Sequence, residues 1–460
     1  MNRRTFLKAS ALAFSFVPSR AFGADAATRP SRKLNIAGIG IGGQGGADLS
    51  NMETENIVAL CDVDANHAAH TFKRYPNAKV YKDYRKMLDE VKEIEAVVVG
   101  TPDHMHAFAS MAAMHAGKHV YCEKPLTHSV WEARQVAQFA REKKLMTQMG
   151  NQGQASTETR LLCERAWSGI IGPIHEAHIW TDRPSQGLFA EYWPQGVARP
   201  KEEPPVPATL DWDLWIGPAP LRPYNPAYLP FKWRGWWDFG TGALGDIGCH
   251  AFDPVFRALR LGHPISVEAA STRVNTETYP LGSMVTYRFP ARKAEVDPRN
   301  VHVRGLSGPD AGASDMPALK LTWYDGGLRP PRPQGLPEGV AMGDNGRLLV
   351  GEKGFILGNS VWMDGKHVEV PQKPRTIPAS VGHYKEFIDA CKGGLSAGSN
   401  FDWAGPLAEV VLLGNIALRV QLREALTQRP LLWDPAGLRI TNLDVANQFI
   451  RREYRQGWSL

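Results

Sequence analysis

The stretch Lys33-Leu-Asn-Ile-Ala-Gly-Ile-Gly40-Ile-Gly-Gly-Gln-Gly45 decides the fold. Residues 33–39 are a short β-prone run, and the glycines that follow keep the spacing Gly40-x-Gly42-x-x-Gly45, with Gly43 between. Ala47 to Met52 then reads as helix, and a second apolar run, Asn56 to Cys61, ends in Asp62. Such a turn lets the backbone approach a pyrophosphate, and the helix behind it offers unpaired N–H groups to the charge. Asp62 stands 22 residues after Gly40, where an acid accepts hydrogen bonds from ribose hydroxyls and repels a 2′-phosphate. Val63 and Asp64 supply no compensating cation, which favours NAD over NADP. Gly38 permits the same spacing two residues earlier, so the register is open by two.

The alternation of strand and helix continues outward. Ala96–Gly100 reads as a buried parallel strand ending in Thr101-Pro-Asp-His-Met-His106. Lys118–Cys122 reads as the next, ending in Glu123-Lys-Pro125, with helices expected at about 103–116 and 127–143. Parallel sheets bind ligands at the carboxyl ends of their strands, where both motifs fall. The expected organisation is a Rossmann domain at 32–152 and a second domain at 153–460.

Upstream, Met1-Asn-Arg-Arg-Thr-Phe-Leu-Lys8 precedes an apolar run and the small residues around Ala21–Ala24. This reads as a twin-arginine export signal over residues 1–26, too short to leave a membrane span in the mature chain. A periplasmic or otherwise exported protein follows. The chain has 460 residues, 43% hydrophobic and 22% charged, with a net charge of +6. That is an ordinary globular composition without a Lys/Arg block, so no nucleic-acid partner is expected. Five scattered cysteines without Cys-x-x-Cys argue against a zinc cluster or a disulfide framework.

These pieces together resemble the Gfo/Idh/MocA oxidoreductases, the glucose–fructose oxidoreductase and inositol dehydrogenase family. The matching segments are Gly40–Gly45, Asp62, Thr101-Pro102 with His104 and His106, Glu123-Lys124-Pro125 and Asp246-x-x-x-His250, in family order. Gly382-His-Tyr-Lys-Glu-Phe387 and a helix from about 403 look like the family's closing helices. The resemblance implies an N-terminal Rossmann domain and a C-terminal α+β domain on a large, open, mainly antiparallel sheet. It implies NAD held by Gly40, Gly42, Gly43, Gly45, Asp62, Thr101, Pro102, His106, Glu123, Lys124 and Asn151, with Lys124 beside the nicotinamide. It also implies pairing of exposed sheets into a homo-oligomer, a dimer or tetramer.

A second glycine turn, Gly240-Thr-Gly-Ala-Leu-Gly245, follows an aromatic run rather than a Val/Ile strand, and Arg260 stands where a ribose acid belongs. It fails as a nucleotide turn. It suits the approach to a helix with Asp246 at or near its N-terminus, so that Asp246 and His250 stack one turn apart. Oxidising an alcohol needs a base for the hydroxyl proton, and a carboxylate beside His250 would raise its basicity. Lys124 would stabilise the developing alkoxide, while Glu123 positions the cofactor or Lys124. Metal binding by His104, His106 and His250 lacks a further ligand at suitable spacing, so no metal is expected.

Between Trp180 and Trp237 lie seven of the 14 tryptophans, and residues 194–230 hold ten of the 34 prolines. This is a rigid, packed loop rather than a linker. Aromatic faces here suit the C–H faces of a sugar, and Arg183 or Arg234 suits its hydroxyls or a carboxylate. The candidate substrate set is Arg183, Tyr192, Trp233, Arg234, Asp246 and His250. Beyond Pro264, strands are expected at 265–274, 283–289, 318–324, 347–350 and 367–370, and helices at about 381–392 and 403–425.

The expected function is hydride transfer between bound NAD and a secondary hydroxyl of a sugar or glycoside, by Lys124, Asp246 and His250. Because a periplasm offers no NAD pool, the cofactor is expected to bind before export and stay. A redox-neutral glycosidase cycle, oxidation then elimination then reduction, is the alternative. A non-catalytic, dinucleotide-bound sugar binder is a third.

Overall fold

Ile36–Ile39 are buried throughout, as a central parallel strand covered on both faces requires. The computed structural model describes residues 32–185, 192–293, 315–370, 377–421 and 429–460. The twin-arginine segment at 1–26 lies outside them.

The first half alternates β1 (Asn35–Ile39), α1 (Gln44–Ser50), β2 (Asn56–Cys61), α2 (Ala69–Arg74), β3 (Lys79–Tyr81), α3 (Tyr84–Glu90), β4 (Ala96–Val99), α4 (Asp103–His115), β5 (His119–Cys122), α5 (Val130–Glu142) and β6 (Thr147–Met149). The six strands form a parallel sheet in the order β3-β2-β1-β4-β5-β6, the doubly wound Rossmann order. α5 starts on a capping box between Ser129 and Glu132. α1 begins three residues before the expected Ala47.

The second half contains α6 (Thr157–Trp167), β7 (Ile174–Trp180), α7 (Trp212–Ile216), α8 (Gly242–Ala258), β8 (Ser266–Ser271), β9 (Ser283–Phe289), β10 (Leu319–Tyr324), β11 (Gly346–Gly351), β12 (Phe355–Leu357), β13 (Ser360–Met363) and β14 (Lys366–Val368). The helices α9 (His383–Cys391) and α10 (Phe401–Val420) and the strands β15 (Leu431–Asp434) and β16 (Arg439–Ile440) follow. Ten strands make one sheet, β14-β13-β12-β11-β7-β10-β9-β8-β15-β16. It is antiparallel except where β10 runs parallel to β7. β7 escaped the sequence reading because His175, Glu176 and His178 interrupt its apolar alternation. The expected helix 403–425 is α10; its far end, 422–428, lies outside the described residues.

α10 joins the two sheets. It packs on α5 from the Rossmann side and on α8 and β8 from the other. One apolar cluster therefore runs from Ala37 and Val97 through Leu407 and Val411 to Val285 and Tyr287. Among the described residues α10 is the one helix long and apolar enough to cross a membrane, but 89% of its apolar window is buried inside the protein. It is a core helix. The five cysteines are all free.

Candidate active site

The glycine turn closes around its own acid. Gly40 has φ +74°, and a Cβ there would stand 2.6 Å from the Thr101 nitrogen; one at Gly45 would stand 2.3 Å from the Gly40 oxygen. The first position needs a left-handed backbone and the second a bare Cα. Asp62 Oδ2 accepts from the N–H groups of Ile41 (2.8 Å) and Gly42 (3.0 Å), and its Oδ1 accepts from Asp64 N (3.0 Å). Burial pushes its carboxyl up, against the pull of these three donors.

The ends of β4 and β5 supply the opposite wall. Pro102 is the N-cap of α4. His106 lies between two carbonyls, Nδ1 2.6 Å from Pro125 O and Nε2 2.8 Å from Thr101 O. It ties the two strand ends together, and burial pushes it down to about 4. His104 is held likewise by Trp215 O and Phe239 O, so neither ring offers a free nitrogen to a metal. Among the described residues no His/Cys/Asp/Glu group could hold one.

Glu123 accepts from Gln152 Nε2 (2.9 Å) and from the Lys124 amide (3.3 Å). Burial first, and then the neighbouring Asp48, push its carboxyl well above the usual range. Its two oxygens tie Gln152 to the Lys124 backbone.

The second glycine turn is a packing device. A Cβ at Gly240 would stand 2.5 Å from the Arg234 backbone. α8 begins at Gly242 behind Thr241, four residues before the expected start, so Asp246 lies in the second turn and is not an N-cap. Asp246 and His250 remain one turn apart. Asp246 turns to cations instead: its Oδ1 accepts from Lys124 Nζ at 2.7 Å and from Arg234 Nε at 2.9 Å. The Arg234 guanidinium stacks on Phe231 and Trp233, 3.9 and 4.2 Å from their ring centres. Burial would raise the Asp246 carboxyl, but Lys124 and Arg234 together hold it well below the ordinary range. Burial would likewise lower Lys124, and Asp246 more than offsets it.

His250 differs from expectation. Burial first, and then Lys124, push its imidazole down to about 3, and the upward pull of Asp246 does not prevent this. The carboxylate is engaged by two cations and has little left to offer the histidine. His250 is therefore a neutral imidazole at neutral pH.

Asp103, which sequence reasoning passed over, is buried beside this group. Its Oδ2 accepts from Thr241 Oγ1 at 2.6 Å, and its Oδ1 is buried without a partner. Burial pushes it up to about 7. A native carboxyl that keeps its proton up to about 7, against 3.8 for the ordinary group, binds more protons than the unfolded chain between those values. Wild-type stability from this group falls as pH rises through that window, by at most ~1.4 kcal/mol per unit. Asp103→Asn removes the titration. Its stability relative to wild type is expected to increase between pH 4.5 and 7, measured by urea unfolding; parallel pH profiles would refute the assignment.

One cavity of about 460 Å³ is lined by Gly40, Gly42, Gly43, Asp62, Thr101, Pro102, His106, Glu123, Lys124, Trp233, Arg234 and His250. Arg183, Tyr192 and Asp246 are not on its wall; Asp246 acts on it through Lys124 and Arg234. Arg183 pairs with Asp182 at 2.7 Å and lies over the Tyr192 ring at 4.2 Å, and Tyr192 packs on Phe231 of the wall. Sequence reasoning missed Gln152, Phe231, Leu214, Trp215 and Trp458, which do line it. Only Phe231 and Trp215 carried a signal, as members of the aromatic stretch.

The residues fit a dinucleotide. Both amide atoms of the fully buried Asn151 and the Thr101 hydroxyl have no protein partner, and such buried groups call for one. The glycine cradle, the ribose acid and the Thr101 hydroxyl line the cavity and would hold NAD; Asn151 and Gly45, expected in the same set, are not on its wall.

Comparison with known proteins agrees. Residues 33–151 match the family model of an oxidoreductase family, NAD-binding Rossmann fold, and residues 188–291 match that family's C-terminal alpha/beta domain. The chain is 34% identical over 122 residues to inositol 2-dehydrogenase of Salmonella typhimurium, covering 26% of this chain and 36% of that protein. It is 31% identical over 119 residues to D-glucoside 3-dehydrogenase of Escherichia coli, covering 26% and 34%. The chain thus matches about a third of the length of these curated relatives. The fold also resembles that of a levoglucosan dehydrogenase solved with NADH and levoglucosan, with TM-score 0.53, 18% identity, and coverage of 84% of this chain and 98% of that one.

Proposed function

Because the chain belongs to the Gfo/Idh/MocA oxidoreductases and carries their NAD-binding Rossmann domain, we propose that it oxidises a secondary hydroxyl of a sugar or glycoside. The observation that carries this reading is that the glycine turn, Asp62, Lys124, Arg234 and His250 line one cavity. NAD, when bound, supplies the hydride acceptor. Lys124 Nζ, fixed by Asp246, donates a hydrogen bond to the substrate oxygen and offsets the negative charge it develops. Arg234 holds the other side of Asp246 and presents a guanidinium to neighbouring hydroxyls. His250, neutral, accepts the hydroxyl proton. A base pushed down to about 3 is weak by itself, so proton transfer depends on the cation beside it.

The protein is exported folded through the twin-arginine pathway, carries NAD with it, and associates through the open sheet into a dimer or tetramer. Arg3 and Arg4 before the apolar run support export; cell fractionation of an Arg3→Lys/Arg4→Lys variant tests it.

The decisive experiment incubates the as-purified protein with a panel of sugars and glycosides, reading reduced-nicotinamide absorbance together with product NMR. A keto-sugar with reduced cofactor is the expected result. Free sugar with no net reduction would replace the dehydrogenase by a redox-neutral glycosidase. Protein that neither contains nor binds NAD would overturn the reading altogether.

A further inference from the structure

The end of the cavity away from Lys124 is not built by the Rossmann domain alone. Its wall includes His67, Lys82, Asp83 and Tyr84, which follow β2 and β3, and also Leu214, Trp215 and Trp458. The latter three come from two segments distant in the chain, and both are fastened there.

The first segment is stitched to the backbone that follows the ribose acid. Asp64 and Leu210 form an antiparallel bridge, with Ala65 N donating to Thr209 O at 3.0 Å and Asp211 N to Val63 O at 2.8 Å. α7 then starts on Asp211, whose side chain accepts from Leu214 N at 3.0 Å. Trp212 stacks on Trp215 at 4.9 Å between ring centres and 13° between planes, and His104 packs against Trp215 from below. Leu210, Trp215, Ile216, Tyr228, Trp236 and Phe239 bury one another in a cluster of their own. The aromatic, proline-rich stretch is therefore a rigid wall.

The second segment, 452–458, holds the first in place. Arg455 Nε donates to Gly217 O (2.9 Å), its Nη2 to Asp213 O (3.2 Å) and its Nη1 to the Asp213 carboxylate (2.5 Å). Its backbone N–H donates to Pro218 O at 2.9 Å. These bonds satisfy the Gly217 and Pro218 carbonyls just past α7 and add to the Gly217 N–H already donated to Asp213 O. Trp458 then reaches the cavity wall, with its ring edge-on to Phe108 at 5.6 Å and the Arg85 guanidinium 5.1 Å from its centre.

We propose that segments 209–216 and 452–458 form a clasp over the adenosine end of the NAD site, so that the cofactor is resident and exchanges only when the clasp opens. This rests on the assignment of the cavity to NAD. Asp62 marks the ribose and Lys124 the nicotinamide, which leaves the Trp215 and Trp458 end to the adenine. A flat apolar base suits two indoles, and the backbone bridge beside the ribose acid fastens this wall in place.

The test is exchange of bound NAD for isotopically labelled NAD, read by mass spectrometry of the released cofactor after gel filtration. Wild type is expected to retain its NAD through filtration and to exchange over hours. Arg455→Ala, away from the reacting groups, is expected to exchange at least tenfold faster, with reduction of bound cofactor by substrate within threefold of wild type. Trp458→Ala gives a second variant should Arg455→Ala fold poorly, and is expected to change exchange in the same direction. Wild type that exchanges within seconds, or two folded variants that exchange at the wild-type rate, would overturn the clasp. Wild type that binds no NAD at all would instead overturn the assignment on which the clasp rests.

Discussion

Lys124→Met is expected to lower the rate of hydride transfer by about 10²–10³-fold, the range found when one preorganised donor to a developing oxyanion is removed. Methionine keeps much of the length of the side chain and removes only the ammonium. The effect should be specific to the chemistry. Gly40, Gly45 and Asp62 are untouched, so NAD content after gel filtration should stay at the wild-type level. Asp246 keeps Arg234 at 2.9 Å, so the site retains one ion pair and the fold should hold. Single-turnover reduction of bound cofactor by substrate, followed by stopped flow, measures the step directly. A rate within threefold of wild type would move the electrostatic role to Arg234.

Asp246→Asn should cost both activity and stability. Lys124, Asp246 and Arg234 are nearly buried, with side-chain exposures of 12, 9 and 14%. Removing the carboxylate leaves two cations facing each other out of water. Breaking a buried pair this way costs roughly 3–5 kcal/mol, and the residual exposure puts the expectation at the lower end. The sign with pH follows from the depressed carboxyl. Its contribution is present above the ordinary value of 3.8 and is lost as pH falls through and below it. The stability gap between wild type and Asp246→Asn should therefore be full at pH 7 and begin to close below pH 4. Denaturant unfolding at the two pH values checks this, and a gap independent of pH would exclude the ion-pair explanation. Activity should fall with it, because Lys124 loses the group that orients it.

The buried histidines explain why the site is legible only in part from composition and spacing. Read from sequence, His106 is expected to hold the cofactor and His250 to do chemistry. In the structure both line the cavity, but His106 is wedged between two carbonyls at 2.6 and 2.8 Å and serves to join strand ends, a clamp that His250 does not share. The difference lies in what surrounds each ring, which no local pattern encodes. Arg183 and Arg234 likewise came from one aromatic stretch with equal claims; Asp246 selects Arg234, and Asp182 takes Arg183.

What the sequence by itself determined is what depends on short spans. A strand, a glycine turn, a helix and an acid 22 residues on mark a dinucleotide turn to within two residues, because strand rise and helix pitch set where each side chain points. Lys124 at a strand end and Asp246 one helical turn from His250 follow from the same geometry. The tertiary structure alone decided the charge state of that site and its closure. Arg234 before α8 and Trp458 near residue 460 meet at the cavity, with Asp103 buried beside Thr241, because α10 and the aromatic cluster bury their apolar faces against both halves. Apolar burial is non-directional and acts between residues hundreds of positions apart, so its partners, and the pKa shifts that burial produces, are set by the assembled fold.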